Sequence, residues 1–484
     1  MRSYVFDPQL LDSDDKKLLN DLMDPFDEET IFEVITDVKG IIKHILDEED
    51  YLFKTQVYFK PKEYQNGECI YRPIHTAKLD QLIAMVAIMH PLIYEIATRD
   101  EEWKLNLSNY SRLIPKNFYG NRVSKKPEDL FKKWNYQYKK FTQKANEYFK
   151  TFHETREYKY ELKLDLVNFF PSVDPLIVYE ILIENIPVTF NDPEDIGVFK
   201  TIVYKLLLCK VTNLESDLAI KNYYGKSGDN FMYTKGIAQG LPQSYFFGNI
   251  CMIKIADIFD EFWGGKALYY VDDSYIYTNK KIENEDEFKK QLEMLNDEIR
   301  EITQNYINLA LVDSCVSGEL CWKGFRETLN KAEESAYGIK VHTNGKSTYT
   351  DIQESKEGEI YLRTLSREAS QIGTDIFSTY SEDEDETMLH RTQILLNTIE
   401  KEIDINKKEN EGYAKKLERY YKFFKYREIK LRLRTEKNLP SEMFKVLLDD
   451  TEIDNTQEIY FLLKECRIDT EKFFNNFKHD IWQY

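Results

Sequence analysis

Two adjacent aspartates lie at the tip of a predicted β-hairpin, where a pair of carboxylates is costly unless something compensates it. Asp272 and Asp273 separate two apolar stretches with strand-like patterns, 268–271 and 275–277. Like charges in a site of low dielectric constant repel each other, and a bound cation offsets that repulsion. Asp-Asp also occurs at 14–15 and 449–450, but only the middle pair lies between two strand patterns. The middle pair is therefore the candidate for chemistry.

A third carboxylate, Asp165, lies inside the apolar stretch 162–170, which ends at Pro171. An aspartate within an apolar strand is unusual unless it is paired or binds a metal. Together with Asp272 and Asp273 it could supply oxygen ligands for two hard divalent cations. Two such cations activate an attacking hydroxyl and stabilise the leaving oxygen in phosphoryl or nucleotidyl transfer. A single structural ion, or a hydrogen-bonded pair of carboxyl groups, explains the same residues equally well.

A segment rich in glycine and glutamine lies between these two carboxylate regions. It runs Gly236-Ile-Ala-Gln-Gly240-Leu-Pro-Gln243-Ser and continues into an apolar stretch. Glycines allow a loop to approach a ligand closely, and such loops often carry binding residues. A turn that leads into a core helix has the same composition, and these residues alone favour the turn.

Two segments carry positive charge in a chain that is acidic overall. The first basic segment, 112–144, has 10 basic and 2 acidic residues, and the second basic segment, 413–434, has 9 and 2. Both are rich in aromatic residues, which suits surfaces that follow a nucleic-acid backbone and stack on bases. An amphipathic helix with buried rings and solvated lysines is an equal alternative. The candidate contacts to nucleic acid are Lys132, Lys133, Lys415, Lys416, Arg419 and Lys422.

The composition of the 484-residue chain excludes several classes of protein. With 66 Lys and Arg against 85 Asp and Glu, the net charge is −19, so a uniformly basic surface is excluded. The six cysteines form no C-x-x-C pair, so neither a zinc ribbon nor a disulfide scaffold is indicated. We find no apolar run of about 18 residues and no signal-peptide pattern at the N-terminus. We therefore expect a cytoplasmic protein with no membrane partner.

Hydrophobic periodicity predicts a mixture of helices and strands along the chain. A hairpin is expected over 57–74, a strand over 161–167, and two strands flank Asp272-Asp273. Beyond about residue 365 the chain is expected to be mostly helical, interrupted by an acidic loop at 381–386. Further helices are predicted over 76–98, 127–153, 174–186, 195–211 and 283–305.

Four motifs in this order resemble those of the reverse transcriptases. They are Tyr71-Arg72-Pro-Ile, Asp165-Leu-Val-Asn-Phe-Phe170, Gly240-Leu-Pro-Gln243-Ser and Tyr270-Val-Asp272-Asp273. The resemblance covers roughly residues 55–330, and the combination is much more specific than any one motif. It implies an α+β right-hand polymerase with fingers, an antiparallel-sheet palm and a thumb.

The resemblance also implies a division of the chain into five parts. An acidic helical segment is expected over 1–50, followed by fingers over 51–160 and a palm with the carboxylates over 161–280. The end of the palm and the thumb region would occupy 281–365, and a helical C-terminal domain 366–484.

By position in the motifs, the resemblance implies a role for each site residue. Asp165 and Asp272 match the aspartates that bind Mg²⁺, with Mn²⁺ as a substitute, and Asp273 matches their catalytic neighbour. Phe170 matches the aromatic residue at the 2′ position of the sugar, where a bulky ring excludes a ribonucleotide. Two further residues match contacts to the incoming nucleotide, Gln243 in the loop and Arg72 at the triphosphate. Lys60 or Lys62 in the same hairpin is expected to help Arg72.

The implied activity is that of an RNA-directed DNA polymerase that extends DNA from dNTPs, on an RNA template or without one. Ser244 departs from the glycine that the family usually has after the loop glutamine. The segment before the palm looks like that of prokaryotic defence-associated, abortive-infection reverse transcriptases. That branch implies antiviral defence, homo-oligomers, a small non-coding RNA partner and a DNA product that is in some cases protein-primed. The alternatives are a retron-like or intron-like enzyme without a defence role, an RNA polymerase on the same palm, and a catalytically silent RNA-binding scaffold.

Overall fold

The chain folds into a mixture of α and β structure that is mostly helical, with small sheets. The computed structural model describes residues 28–48, 50–65, 68–93, 110–124, 130–185, 193–214, 220, 232–234, 236–312, 340–341, 348–355, 357–371, 382–408 and 410–436. Two compact units are present. The first comprises Met1–Lys60, Arg72–Phe141 and Thr151–Gln353, and the second comprises Pro61–Tyr71, Thr142–Lys150 and Glu354–Tyr484.

The sheet that carries the three aspartates, here called the carboxylate sheet, has four strands in the order β10-β3-β8-β7. They are β3 (Tyr160–Leu164), β7 (Lys266–Tyr270), β8 (Asp273–Thr278) and β10 (Thr348–Asp351). Each neighbouring pair is antiparallel. In β3, Leu162 and Leu164 are fully buried while Lys163 between them is exposed, as the two-residue repeat of a strand requires.

A second four-stranded sheet contains the predicted hairpin and has the order β2-β1-β5-β6. Its strands are β1 (Lys54–Gln65), β2 (Glu68–Thr76), β5 (Lys210–Val211) and β6 (Met232–Tyr233). The short strand β5 runs parallel to β1 and antiparallel to β6. A separate antiparallel pair joins β4 (Leu166–Val167) to β9 (Lys340–Val341).

The limits of the helices follow local signals in the sequence. Pro242 at the start of the helix α7 (Pro242–Trp263) suits a first helical position, and that helix ends before Gly264. Asp174 caps α5 by accepting a hydrogen bond of 2.9 Å from the backbone N–H of Leu176. The described helices between residues 28 and 312 are α1 (Glu28–Asp47), α2 (Leu79–Ile93), α3 (Trp134–Thr155), α4 (Phe169–Ser172), α5 (Pro175–Glu184), α6 (Pro193–Leu207), α7 (Pro242–Trp263) and α8 (Glu285–Val312).

The second unit is built around three helices, α9 (Glu357–Gln371), α10 (Glu382–Asn406) and α11 (Glu411–Glu436). Its core includes Leu365, Ile399, Leu417 and Phe424, each at most 1% exposed. The apolar positions of all three helices therefore meet in one core, which is separate from the larger core of the first unit.

Most of the predicted elements are confirmed, including the hairpin and the two strands around the aspartate pair. Three predictions are wrong. The predicted strand 161–167 is interrupted at Asp165, because β3 ends at Leu164 and β4 (Leu166–Val167) pairs with β9 instead. The acidic stretch that was expected to be a loop is helical from Glu382 onward, because α10 begins there and the helix dipole favours acidic residues in the first turns. The predicted helix 195–211 ends at Leu207, and Lys210–Val211 form a strand.

In the part of the chain that the structure describes, no helix is long and apolar enough to cross a membrane. The first 27 residues lie outside the described residues, so the predicted acidic N-terminal helices are described only from Glu28 onward.

Candidate active site

The turn between β7 and β8 presents the aspartate pair at one end of the carboxylate sheet. Tyr270 is paired with Asp273 across the hairpin, so Val271 and Asp272 form the turn itself. Val271 has a φ angle of 54°, a left-handed conformation that is unfavourable for a β-branched residue. Both aspartates are half-buried. The turn therefore holds its carboxylates in one defined and strained backbone geometry.

The register of the sheet brings Asp165 to the same end. Leu164 on β3 is paired with Ser274 on β8. Asp165 directly follows Leu164 and Asp273 directly precedes Ser274, so both aspartates lie beside the last paired position of the two strands. Asp165 is half-buried, like the two aspartates of the turn. Three carboxylates that are far apart in sequence thus lie at one sheet end.

The donors at this end are oxygen atoms, which fit a hard divalent cation such as Mg²⁺. Among the residues that the structure describes, however, no three His, Cys, Asp or Glu side chains are grouped closely enough to hold a metal ion. The protein side chains therefore form at most a partial coordination shell. A cation held here would need further oxygen ligands from water or from a substrate.

A cluster of aromatic rings from α3 packs beside the turn. The rings of Tyr138 and Tyr270 meet edge to face with centroids 4.8 Å apart, and Phe141 lies 5.2 Å from Tyr275. Burial, together with the charges of Asp273 and Tyr275, raises the pKa of Tyr138 above its usual value. Tyr138 therefore keeps its proton close to Asp273. Sequence reasoning missed this residue, because no local pattern links it to a turn 134 positions later.

The glycine-glutamine segment connects the strand end at Asp165 to the hairpin strand β2. The backbone N–H of Ile237 donates to the carbonyl oxygen of Phe170 (2.8 Å), and that of His75 donates to the carbonyl oxygen of Gln239 (2.7 Å). Gly240 has a φ of 109°, and a Cβ atom there would lie 2.3 Å from the carbonyl oxygen of His75. Only glycine allows this close approach.

Three of the four sequence motifs therefore meet at this loop, namely those over 71–74, 165–170 and 240–244. Burial lowers the pKa of His75 to about 4, although a hydrogen bond to the backbone of Gln239 acts in the opposite direction. The junction between β2 and the loop consequently contains a neutral imidazole at pH 7. Arg72 lies three residues before it on β2, but the side chains of Arg72 and Lys60 lie outside the described residues.

Phe170 is mostly buried, at 7% exposure, and lies in the short helix α4 rather than in a strand. The chain turns before it because Asn168 adopts a left-handed conformation with φ of 48°. The Phe170 ring packs edge to face on Phe169 (5.3 Å) and on Tyr245 (6.3 Å). Strand alternation therefore does not apply here, and both phenylalanines belong to the core. The role of Phe170 at a nucleotide sugar stays a prediction.

The two glutamines of the loop region lie in different surroundings. Gln243 is 1% exposed in the first turn of α7, and its Nε2 donates to the carbonyl oxygen of Leu206 (3.2 Å). Gln239 is half-buried and lies in the loop itself. A contact between Gln243 and a nucleotide would require this first turn to move. The available glutamine at the open side of the loop is therefore Gln239.

The first basic segment has an exposed face at the start of α3. Lys133, Tyr136 and Lys140 are exposed, and their spacing of three and four residues places them on one side of the helix. Lys132 is half-buried, and its backbone N–H donates to the carbonyl oxygen of Arg122 (2.8 Å). Of the two lysines that the sequence named here, Lys133 is thus exposed and Lys132 is half-buried, and contact with nucleic acid stays a prediction.

The second basic segment forms most of α11, and several of its charges are neutralised within the helix. Glu428, which is 4% exposed, is bound by both Lys425 (2.8 Å) and Arg432 (2.9 Å). Lys415 is bound to Glu411 at 2.9 Å. The net charge of this segment thus overstates the charge that is available to a partner.

Two of the predicted contact residues of α11 do line a cavity. Lys416 and Arg419 are exposed, and with three apolar or aromatic neighbours they enclose about 450 Å³. Those neighbours are Leu362, Tyr420 and Phe423. The side chain of Lys422, also predicted to contact nucleic acid, lies outside the described residues. Cations beside rings are suited to phosphate and base contacts.

No protein-family model matches this chain, and no curated protein matches it either.

Proposed function

We propose that this protein is a nucleic-acid polymerase of the reverse transcriptase type, with fingers, palm and thumb, that extends DNA from dNTPs. The observation that carries the proposal is the convergence of separate motifs in one place. Asp165 and the pair Asp272-Asp273 lie at one end of the carboxylate sheet, and the loop after Gly236 is bonded to both Phe170 and His75. Convergence of acidic, loop and strand residues that are distant in sequence is typical of a catalytic centre.

Asp165 and Asp272 are the residues that would hold Mg²⁺ in this proposal, with Asp273 beside them. Bound Mg²⁺ would supply the charge that offsets the triphosphate and the developing negative charge at the leaving oxygen. The protein's own contribution is position: β3 and β8 fix the carboxylates, and Tyr138 offers a protonated phenol near Asp273. The incomplete shell of protein ligands leaves coordination positions for phosphate oxygens of a nucleotide.

In the same proposal, the nucleotide lies between the loop and the carboxylates. Gln239 takes the position that the sequence assigned to Gln243, because Gln243 is committed to a helix carbonyl group. Phe170 would limit the volume at the 2′ position of the sugar and so select deoxyribonucleotides. Arg72 would contact the triphosphate from β2, with Lys60 as its helper. The exposed row on α3 and, as a separate site, the cavity on α11 would each contact RNA or DNA.

The proposal is tested on the full chain, purified from cells together with any RNA that copurifies. Incorporation of labelled dNTPs is measured with Mg²⁺, with and without an added RNA template and DNA primer. Asp165→Asn and Asp272→Asn are expected to reduce incorporation by several orders of magnitude, since each loses a charge interaction worth several kcal/mol and about 1.4 kcal/mol corresponds to tenfold. Asp286→Asn, an exposed aspartate in the first turn of α8, is the control and is expected to be fully active.

The outcomes separate the competing functions. A folded Asp272→Asn variant with near-normal incorporation would refute the polymerase assignment. Tight RNA binding without incorporation by the unmodified chain would instead favour the RNA-binding scaffold. Preference for rNTPs would favour an RNA polymerase. A role in antiviral defence predicts that cells with the unmodified chain restrict phage plating while cells with Asp272→Asn do not.

A further inference from the structure

The strained turn of the aspartate pair is covered by a separate stretch of backbone, residues 117–121, here called the clamp segment. It runs beside β7 as a short parallel extension of the sheet. The backbone N–H of Tyr119 donates to the carbonyl oxygen of Tyr269 (2.8 Å), and the N–H of Tyr269 donates to that of Asn117 (2.9 Å). The side chain of Asn117 also donates to the carbonyl oxygen of Ala267 (3.1 Å).

The clamp segment touches the turn at Gly120. A Cβ atom on Gly120 would lie 2.7 Å from both Cγ2 and the backbone N of Val271, and 3.3 Å from the carbonyl carbon of Tyr270. Contacts of 2.7 Å are too short for a real side chain, so an alanine at position 120 must displace the turn. The backbone of Gly120 therefore packs directly against Val271.

Asn249, a buried residue of α7, holds the clamp segment in place. Asn249 is fully buried, and its Nδ2 donates to the carbonyl oxygens of Gly120 (2.8 Å) and Asn121 (3.2 Å). Asn121 itself has a left-handed φ of 48°. A strained residue such as Val271 persists only where its surroundings determine its conformation. Contacts therefore run without a break from Asn249 through the clamp segment to the turn at Val271.

We propose that Asn249 and Gly120 are positioning residues, which keep Val271 in its left-handed conformation and thereby set where Asp272 lies relative to Asp165. This inference rests on the proposed function for its catalytic meaning. Both residues are buried, so both act through the backbone of the turn. Loss of Asn249 leaves two carbonyl groups without this donor and allows the clamp segment to withdraw from Val271. Asp272 then loses its fixed position at the cation site.

The test uses the full chain with Asn249→Ala and, in parallel, Gly120→Ala. Three quantities are measured: terbium(III) affinity by luminescence, amide hydrogen exchange of the peptide around 270–274, and the Mg²⁺ concentration that gives half-maximal dNTP incorporation. The terbium signal that Asp272→Asn removes defines the site. We expect at least tenfold weaker terbium binding, at least tenfold faster exchange, and at least a tenfold higher Mg²⁺ requirement in both variants.

A second substitution separates positioning from general destabilisation. Glycine adopts a positive φ without strain, so Val271→Gly combined with Asn249→Ala is expected to recover most of the terbium affinity and to restore folding where the single variant lacks it. The control is Gly265→Ala at the other end of the same hairpin, where a Cβ atom would lie 2.1 Å from the carbonyl oxygen of Tyr277. It is expected to lower the melting temperature and leave terbium affinity unchanged.

The results distinguish this inference from the proposed function. Unchanged terbium affinity and exchange in folded Asn249→Ala, or no recovery in the double variant, would overturn the positioning role while leaving polymerase activity intact. Absence of nucleotide incorporation by the unmodified chain would overturn the proposed function alone. Terbium binding and hydrogen exchange would still test the positioning role of Asn249 and Gly120. If Asp272→Asn removes no terbium signal, the positioning role is tested by hydrogen exchange at 270–274 instead.

Discussion

The backbone N–H of Ile237 donates a hydrogen bond of 2.8 Å to the carbonyl oxygen of Phe170. This bond fixes the loop that carries Gln239 against the segment that follows Asp165. A nucleotide bound near Asp165 would therefore lie within reach of both Phe170 and the loop. Substitutions in two pairs of residues near this bond therefore test the proposed site directly. The pairs are Phe169 with Phe170 and Gln239 with Gln243.

Phe170 and Phe169 form a matched pair, because both rings are buried and they contact each other. We expect Phe170→Ala to raise the use of rNTPs relative to dNTPs at least tenfold, about 1.4 kcal/mol of discrimination. Removal of the ring opens the volume that a 2′-hydroxyl needs. Phe169→Ala is expected to leave the sugar preference unchanged. The measurement is a competition assay between rNTPs and dNTPs on both purified variants.

Melting curves provide the control for this comparison. Loss of either buried ring is expected to cost roughly 3–5 kcal/mol of stability, because Phe→Ala changes leave a cavity. A folded Phe170→Ala variant with the sugar preference of the unmodified chain would assign Phe170 to the core alone and reopen the RNA polymerase alternative.

Gln239 and Gln243 are expected to respond in opposite ways. Gln239→Ala should raise the KM for dNTPs about tenfold, corresponding to about 1.4 kcal/mol, with little change in stability. Gln243→Ala should lower the free energy of unfolding by about 1–3 kcal/mol, because it removes a buried donor to Leu206, and leave the KM unchanged. Steady-state kinetics and urea unfolding measure the two effects. The reverse pattern would return the nucleotide contact to Gln243.

The sequence predicted the elements of the site better than their surroundings. Two short alternating patterns were enough to predict the strands around Asp272-Asp273, because strand periodicity is local. The resemblance assigned the nucleotide contact to Gln243, and the motif alone does not show that Gln243 is buried while Gln239, beside Gly240, is half-buried. One signal was available: Pro242 suits a first helical position, which assigns Gln243 to the first turn of α7. Tyr138 and Asn249 act through tertiary contacts, and no local pattern predicts those.

The second basic segment is expected to bind nucleic acid through Lys416 and Arg419 rather than through all of its basic residues. Lys416→Gln with Arg419→Gln should weaken binding of single-stranded RNA or DNA and flatten its salt dependence, by about 0.7 in slope for each phosphate that is no longer neutralised. The control pair is Lys407→Gln with Lys408→Gln, which removes the same charge from exposed residues immediately after α10. Binding is measured by fluorescence anisotropy across a salt series. Equal slopes in the two double variants would mean that the α11 cavity has no role in binding.

His75 makes the stability of the β2–loop junction dependent on pH. Burial lowers its pKa to about 4 in the folded chain, against about 6.5 in the unfolded chain. The folded state then binds fewer protons than the unfolded state between these values, so stability is complete above pH 6.5 and falls as the pH drops towards 4. The slope is about 1.4 kcal/mol per pH unit, which gives a loss of roughly 2 kcal/mol between pH 7 and pH 5.

This loss is measured by urea unfolding across pH 5–7, with His75→Gln as the reference that lacks the titrating ring. The difference in unfolding free energy between the two proteins should decrease by roughly 2 kcal/mol from pH 7 to pH 5, because only the imidazole gains a proton on unfolding. Carboxylates titrate in both proteins alike and cancel in the difference. A difference that stays constant with pH would show that the imidazole is solvated in the folded chain. In that case the contact between β2 and the backbone of Gln239 would be looser than the 2.7 Å hydrogen bond indicates.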